Sequence, residues 1–262
     1  MRAAFVALTM LATTGVAAAE TISLYAAGSL KDALTDVAKA YETKSGNKVA
    51  MKFGPSGLLK KEIADGAKAD VFASANMEHP QELNDDGTSG PVVRFARNRL
   101  CALVKPGLDV TTDNLLARML DPKVKLATST PRTDPSGDYA IEAFTKTEAI
   151  KPGSQDLLEK KALKLTGAKN SAAPPAGRVA YGWHVAEGRA DIFLTYCTNA
   201  LAARKQYPDQ QMVELPEALS VGADYGLTVI DGAPAPAQEF VEFILSAEGQ
   251  KILAGYGFAP GD

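Results

Sequence analysis

Short apolar strands alternate with amphipathic helices along most of this chain, and that alternation restricts the fold to α/β layering built on parallel sheets. Thr21 to Ala26 reads as a strand. Leu30, Ala33, Leu34, Val37, Ala38 and Tyr41 then follow helical spacing up to Gly46. Val49 to Phe53 and Val71 to Ala73 are further strands, with a helix striped by Leu58, Leu59 and Ile63 between them. Later strands are expected at Leu100 to Val104, Lys125 to Thr128, Ile192 to Tyr196 and Tyr225 to Ile230. Helices are expected around Tyr139 to Phe144, Val179 to Trp183, Pro236 to Leu245 and Gln250 to Ala254. The Ala-, Pro- and Gly-rich stretch Gly167 to Gly177 reads as a loop.

The first nineteen residues stand outside this pattern. Arg2 supplies a positive start, Ala3 to Val16 an apolar run, and Ala17-Ala18-Ala19 a small-residue cleavage pattern, so residues 1–19 read as a secretory signal and Glu20 as the first mature residue. The run is too short to span a bilayer comfortably. Neither cysteine lies near it, so no lipid anchor is expected. The location implied is extracytoplasmic: periplasmic in a Gram-negative host. Without Arg2, 27 basic residues face 31 acidic ones, a net charge of −4. With no basic cluster present, nucleic acid is not an expected partner. Two cysteines in an oxidising compartment invite pairing. Cys101 and Cys197 both fall in or beside expected strands, and two separate buried thiols are the alternative.

One small pattern recurs at the mouths of helices. Ala27-Gly28-Ser29 lies between the first strand and first helix, Pro55-Ser56-Gly57 between the second strand and second helix, and Pro135-Ser136-Gly137 directly before a later helix. A helix N-terminus presents unpaired N–H groups and partial positive charge, which suit an anion. Serine is also among the commonest N-caps for purely local reasons. Three such sites with small neighbours favour binding, although spacing alone does not show that they converge. His79 and His184 are the only histidines and have no metal-ligand spacing. A secreted serine hydrolase would need one of them within reach of Ser29, Ser56 or Ser136. No nucleophile elbow, dinucleotide loop or phosphate-binding loop motif is present.

Several stretches together resemble the periplasmic molybdate-binding proteins of ABC importers: Ala26-Ala27-Gly28-Ser29-Leu30, Phe53-Gly54-Pro55-Ser56-Gly57, Gly66 to Ala75, Asn98-Arg99-Leu100, Pro135 to Ala140, and the closing Gly249 to Phe258. The resemblance implies a two-lobed type II periplasmic binding protein fold. Each lobe would be a mostly parallel sheet flanked by helices, with two crossing segments as the hinge. The lobes would comprise residues 20–98, residues 99–217, and a return of residues 218–262 to the first lobe. It also implies that a tetrahedral oxyanion, molybdate or tungstate, is held by Ser29, Ser56 and Tyr196 and by backbone N–H groups. Ser136 stands where the family has a small apolar residue donating its N–H. Counting back from Tyr196 puts Arg178 where the family uses another backbone N–H. A cation there would admit a different oxyanion or a small organic anion. The expected partner is an inner-membrane permease, the expected state a monomer. No catalysis, cofactor or bare metal ion is implied.

Overall fold

The computed structural model describes residues 19–261; the expected signal sequence lies outside the described residues except for Ala19. In chain order the elements are β1 (Thr21–Ala27), α1 (Lys31–Ser45), β2 (Lys48–Gly54), α2 (Ser56–Ala64), β3 (Val71–Ser74), α3 (Glu78–Asp85) and β4 (Val93–Val104). There follow α4 (Leu115–Leu120), β5 (Leu126–Ser129), α5 (Pro135–Thr147), α6 (Ser154–Lys161), β6 (Leu163–Thr166), α7 (Ala180–Ala186), β7 (Ile192–Tyr196) and α8 (Cys197–Gln206). The chain closes with β8 (Gln211–Glu214), β9 (Gly222–Val229), α9 (Ala235–Leu245), α10 (Ala247–Gly255) and β10 (Ala259–Pro260).

Strand order along the sheet is β2-β1-β3-β9-β4-β7-β5-β6. Two parallel triplets, β2-β1-β3 and β6-β5-β7, form the centre of each lobe. The strand that joins them is β4. Its first half pairs antiparallel with β9, and its second half, Leu100 to Val104, pairs antiparallel with β7 and β8. A register shift between Arg94 and Ala96 marks its irregular entry. The return crossing runs through Val221 and Gly222, where the Leu100 N–H donates to the Val221 carbonyl. Each parallel triplet therefore acquires antiparallel neighbours, because the crossing segments run against its strands.

Separate cores support the two halves. The first packs Ile22, Leu24, Leu34, Val37, Phe240 and Ile244 between sheet and helices. Leu59, Ile63, Phe72 and Leu83 fill the opposite face of that sheet. In the second half Leu115, Leu126, Phe144 and Leu194 form one layer, and Val185, Phe193, Ala200 and Ala203 the other. Cys101 of β4 and Cys197 at the start of α8 are joined as a disulfide, with Cα atoms 4.9 Å apart across a sequence separation of 96. No helix among the described residues is long and apolar enough to cross a membrane.

Candidate functional site

Parallel strands end at one edge of their sheet, and loops leaving that edge are where open α/β sheets bind ligands. Here two such edges face each other. From the first lobe come the ends of β1, β2 and β3; from the second, the ends of β5, β6 and β7. Between them lies a cavity of about 140 Å³. Its lining from the first lobe includes Ser29, Ser56 and Ala75. From the second lobe come Asp134, Thr166, Gly167, Tyr181 and Tyr196.

The first-lobe serines are held by defined partners. Ser56 opens α2 and is 1% exposed. Its Oγ accepts from the Ala75 N–H at 3.1 Å, which leaves the Ser56 hydroxyl proton free to donate elsewhere. Ser29 Oγ lies 3.0 Å from the Tyr225 hydroxyl. Tyr225 in turn accepts from Asn98 Nδ2 at 3.2 Å, so its own proton is available to Ser29. Asn98 also donates to Thr198 Oγ1 at 2.8 Å, tying this chain to the start of α8. Burial raises the Tyr225 phenol well above its usual range, which keeps it a donor.

Across the cleft, the Tyr196 hydroxyl donates to the Ala75 carbonyl of the first lobe at 3.3 Å. Burial raises this phenol as well, and that of Tyr181. Thr166 is pinned by Ser129, whose Oγ is 2.8 Å from Thr166 Oγ1. Gly167 follows with φ 85°, and a Cβ there would stand 2.5 Å from the Asp134 Cβ. The lobes also touch at Gly57, whose N–H donates to the Thr133 carbonyl at 3.0 Å. A Cβ at Gly57 would lie 2.5 Å from the Arg132 carbonyl oxygen, so this approach requires glycine.

Three of the five residues nominated from sequence, Ser29, Ser56 and Tyr196, line the cavity; Ser136 and Arg178 do not. Ser136 is the second residue of α5, fully buried, with an Oγ that has no hydrogen-bond partner. The N-cap of α5 is Asp134, which accepts from the Ser136 N–H at 3.1 Å. Aspartate followed by proline is a helix-start signature in its own right, and it was legible at Asp134-Pro135. Arg178 lines an adjoining cavity of about 270 Å³ that shares Ser29 and Tyr181 with the first and also includes Lys31, Asn199 and Gln206. Its guanidinium sits 5.6 Å from the Tyr207 ring centroid. Thr166, Gly167 and Tyr181 line the smaller cavity from the second lobe.

Asp134 is the ionisable carboxyl of the cavity wall. Burial pushes it up to about 6, against the lowering effect of the Ser136 N–H and the Ser129 hydroxyl. No lysine, arginine or histidine lines this cavity among the described residues. Nor do His79 or His184 hydrogen-bond to any of the three serines; the imidazole nitrogens of both are buried without hydrogen-bond partners. No group of three or more potential metal ligands occurs among the described residues.

Two α/β lobes with facing carboxyl edges and a small polar cavity between them define a type II periplasmic binding protein fold. The model of the bacterial extracellular solute-binding protein family matches residues 22–259, and the chain belongs to that family. It binds a solute and is not an enzyme. It is similar to the uncharacterized protein PM1146 of Pasteurella multocida, with 35% identity over 239 residues, 90% of this chain and 98% of that one. The molybdate-binding protein ModA of Haemophilus influenzae is 26% identical, with 93% of this chain and 91% of that protein covered. Among solved structures, the sulfate-binding protein SubI of Mycobacterium tuberculosis has a TM-score of 0.75 at 19% identity, covering 93% of this chain and 88% of that one, a likeness of fold.

Proposed function

We propose that this protein captures a tetrahedral oxyanion, molybdate or tungstate, between its lobes in the periplasm and passes it to the membrane permease of an ABC importer. The observation that carries this reading is the 140 Å³ cavity, lined by hydroxyls and small residues from both lobes. It is well below the roughly 300–1,000 Å³ of pockets that take drug-sized ligands, and suits one compact anion. Ser29 and Ser56 contribute hydroxyl donors from one side, and the Tyr196 hydroxyl becomes a donor from the other on leaving the Ala75 carbonyl. Preformed neutral donors suit a multivalent anion because each charge-assisted hydrogen bond is strong without requiring a buried cation. The molybdate-binding name of the Haemophilus relative supports the same ligand class.

A second reading keeps the fold and exchanges the ligand. The adjoining cavity with Lys31 and Arg178 shares Ser29 and Tyr181 with the first. An organic anion could place its oxyanion head in the smaller cavity and its remainder beside those cations. Titration calorimetry of residues 20–262 against molybdate, tungstate, sulfate and phosphate separates these readings. Saturable binding is expected for the first two. Flat traces for both would overturn the leading proposal.

A further inference from the structure

A cavity meant for an anion is an unfavourable place for an ionised carboxylate. Asp134 nevertheless lines it, opposite Ser29 and Ser56. The arrangement around it is specific. Its side chain caps α5 through the Ser136 N–H, and Gly167 in a left-handed conformation leaves just enough room for its Cβ. The Ser129 hydroxyl of β5 acts on the carboxyl, and the phenols of Tyr181 on α7 and Tyr196 on β7 line the same cavity. Burial keeps both phenols protonated. On its own helix Asp138 adds a second, repelling carboxylate. No basic side chain lines this cavity with Asp134; Lys31 and Arg178 line the adjoining cavity, and Arg132, two positions earlier, lines another together with Asp138. The first-lobe wall adds hydroxyls and backbone but no charge.

Resting on the oxyanion reading, we propose that Asp134 makes capture proton-linked: the occupied cleft holds one proton between the Asp134 carboxyl and a ligand oxygen. A fully ionised dianion is then bound together with a proton from solvent, which stays on Asp134 and turns it from an acceptor into a donor. A ligand that carries its own hydroxyl proton donates it to the ionised carboxylate instead. In both cases the same single proton separates two oxygens that would otherwise repel. Burial already raises Asp134, and an adjacent anion raises it further. Asp134 thereby becomes a specificity-determining residue, favouring ligands that are singly protonated or readily co-bound with a proton.

The experiment is calorimetry and equilibrium titration of the wild-type protein with molybdate, tungstate and sulfate between pH 6 and 9. Uptake of one proton lowers affinity about tenfold for each pH unit above the Asp134 pKa. Buffers of different ionisation enthalpy should report uptake of about one proton per anion. Asp134→Asn keeps a side chain that caps helices well and supplies a neutral N–H donor. In that variant the pH slope and the proton uptake should both vanish, and affinity at pH 8 to 9 should exceed that of the wild type. Wild-type affinity that is flat from pH 6 to 9, or a slope that survives in Asp134→Asn, overturns the proposal while leaving oxyanion binding intact. If the variant does not fold, proton uptake by the wild type decides the question alone. Absence of wild-type binding to all three anions at every pH overturns the oxyanion reading and this proposal together.

Discussion

The two walls of the cleft are built on different electrostatic plans. The first lobe contributes Ser29 and Ser56, neutral hydroxyls held by Tyr225 and the Ala75 N–H. The second contributes Asp134, Tyr181 and Tyr196, all ionisable groups shifted upward by burial. The first wall is a set of donors fixed whatever the pH. The second wall changes its character with one proton. The two walls meet through Gly57 to Thr133 and Tyr196 to Ala75. On the proposed reading, affinity belongs chiefly to the first lobe and discrimination chiefly to the second.

The most forceful way to disturb this division is to loosen the second lobe alone. The Cys101–Cys197 disulfide fixes α8 directly after Tyr196. It closes a loop of nearly one hundred residues, for which the chain-entropy model gives about 4 to 5 kcal/mol, an upper figure for real proteins. Reduction should lower the melting temperature and weaken anion binding. Mass spectrometry finding two alkylatable thiols in unreduced, unfolded protein would remove the bond from the account.

Asp134 offers a sharper break. Its carboxyl is raised from 3.8 to about 6 in the folded chain, so the folded state binds more protons than the unfolded state between roughly pH 4 and 6. Stability of the ligand-free protein therefore falls as pH rises through that window and stays lower above it. Asp134→Asn should recover at most about 3 kcal/mol at pH 8, less where water reaches the carboxyl, and almost nothing at pH 4. Thermal melts of both proteins at the two pH values measure the difference. An equal effect at pH 4 and pH 8 would mean that capping, and not charge, sets the behaviour of this residue.

On the first wall the expected losses are in affinity. Ser29→Ala or Ser56→Ala should weaken oxyanion binding by roughly 1.5 to 3 kcal/mol, the range for a hydrogen bond to a charged group. Unlike Asp134→Asn, neither should alter the pH slope of binding. Tyr225→Phe should reproduce a smaller part of the Ser29 loss, about 1 kcal/mol, by releasing the hydroxyl that holds Ser29. Competition titrations at pH 6 and 8 provide the check. A changed slope in a first-wall variant would dissolve the contrast between the walls.

Much of the first lobe was readable in advance because its apolar spacing is clean. Leu24, Ala26, Leu34, Val37 and Val71 are all buried where their periodicity puts them. The start of β4 at Val93 was not, since Arg94, Arg97 and Arg99 interrupt its apolar pattern. The polar helices α3 and α6 hid for the same reason. In the site, Ser29 and Ser56 were visible as hydroxyls between strand and helix. Ser136 drew attention away from Asp134, two positions earlier, although Asp-Pro is the better start signal. Tyr225 looks like any strand aromatic, and only its contact with Ser29 across 196 positions reveals its use. The lining positions Thr166 and Gly167 were missed because counting back along the chain from Tyr196 cannot follow an irregular segment of a dozen residues.

The smallest effect is expected at Arg178, and it tests where the second wall ends. The side chain is exposed and stacks at 5.6 Å over Tyr207, a contact worth about 0.5 to 1 kcal/mol at an exposed site. It lines the 270 Å³ cavity and not the 140 Å³ one. Acting only through its field, it would be damped over a screening length of about 8 Å at physiological salt. Arg178→Ala should then lower affinity for molybdate, tungstate and sulfate by one small common factor that shrinks further as salt is added. The order of preference among the three should not change. If instead the variant binds these inorganic anions normally but loses a larger organic phosphate or carboxylate, the adjoining cavity is part of the ligand site. The second wall would then extend from Asp134 through Tyr181 to Arg178, with a carboxyl at one end and a cation at the other. Such a wall would select by ligand length as well as by protonation.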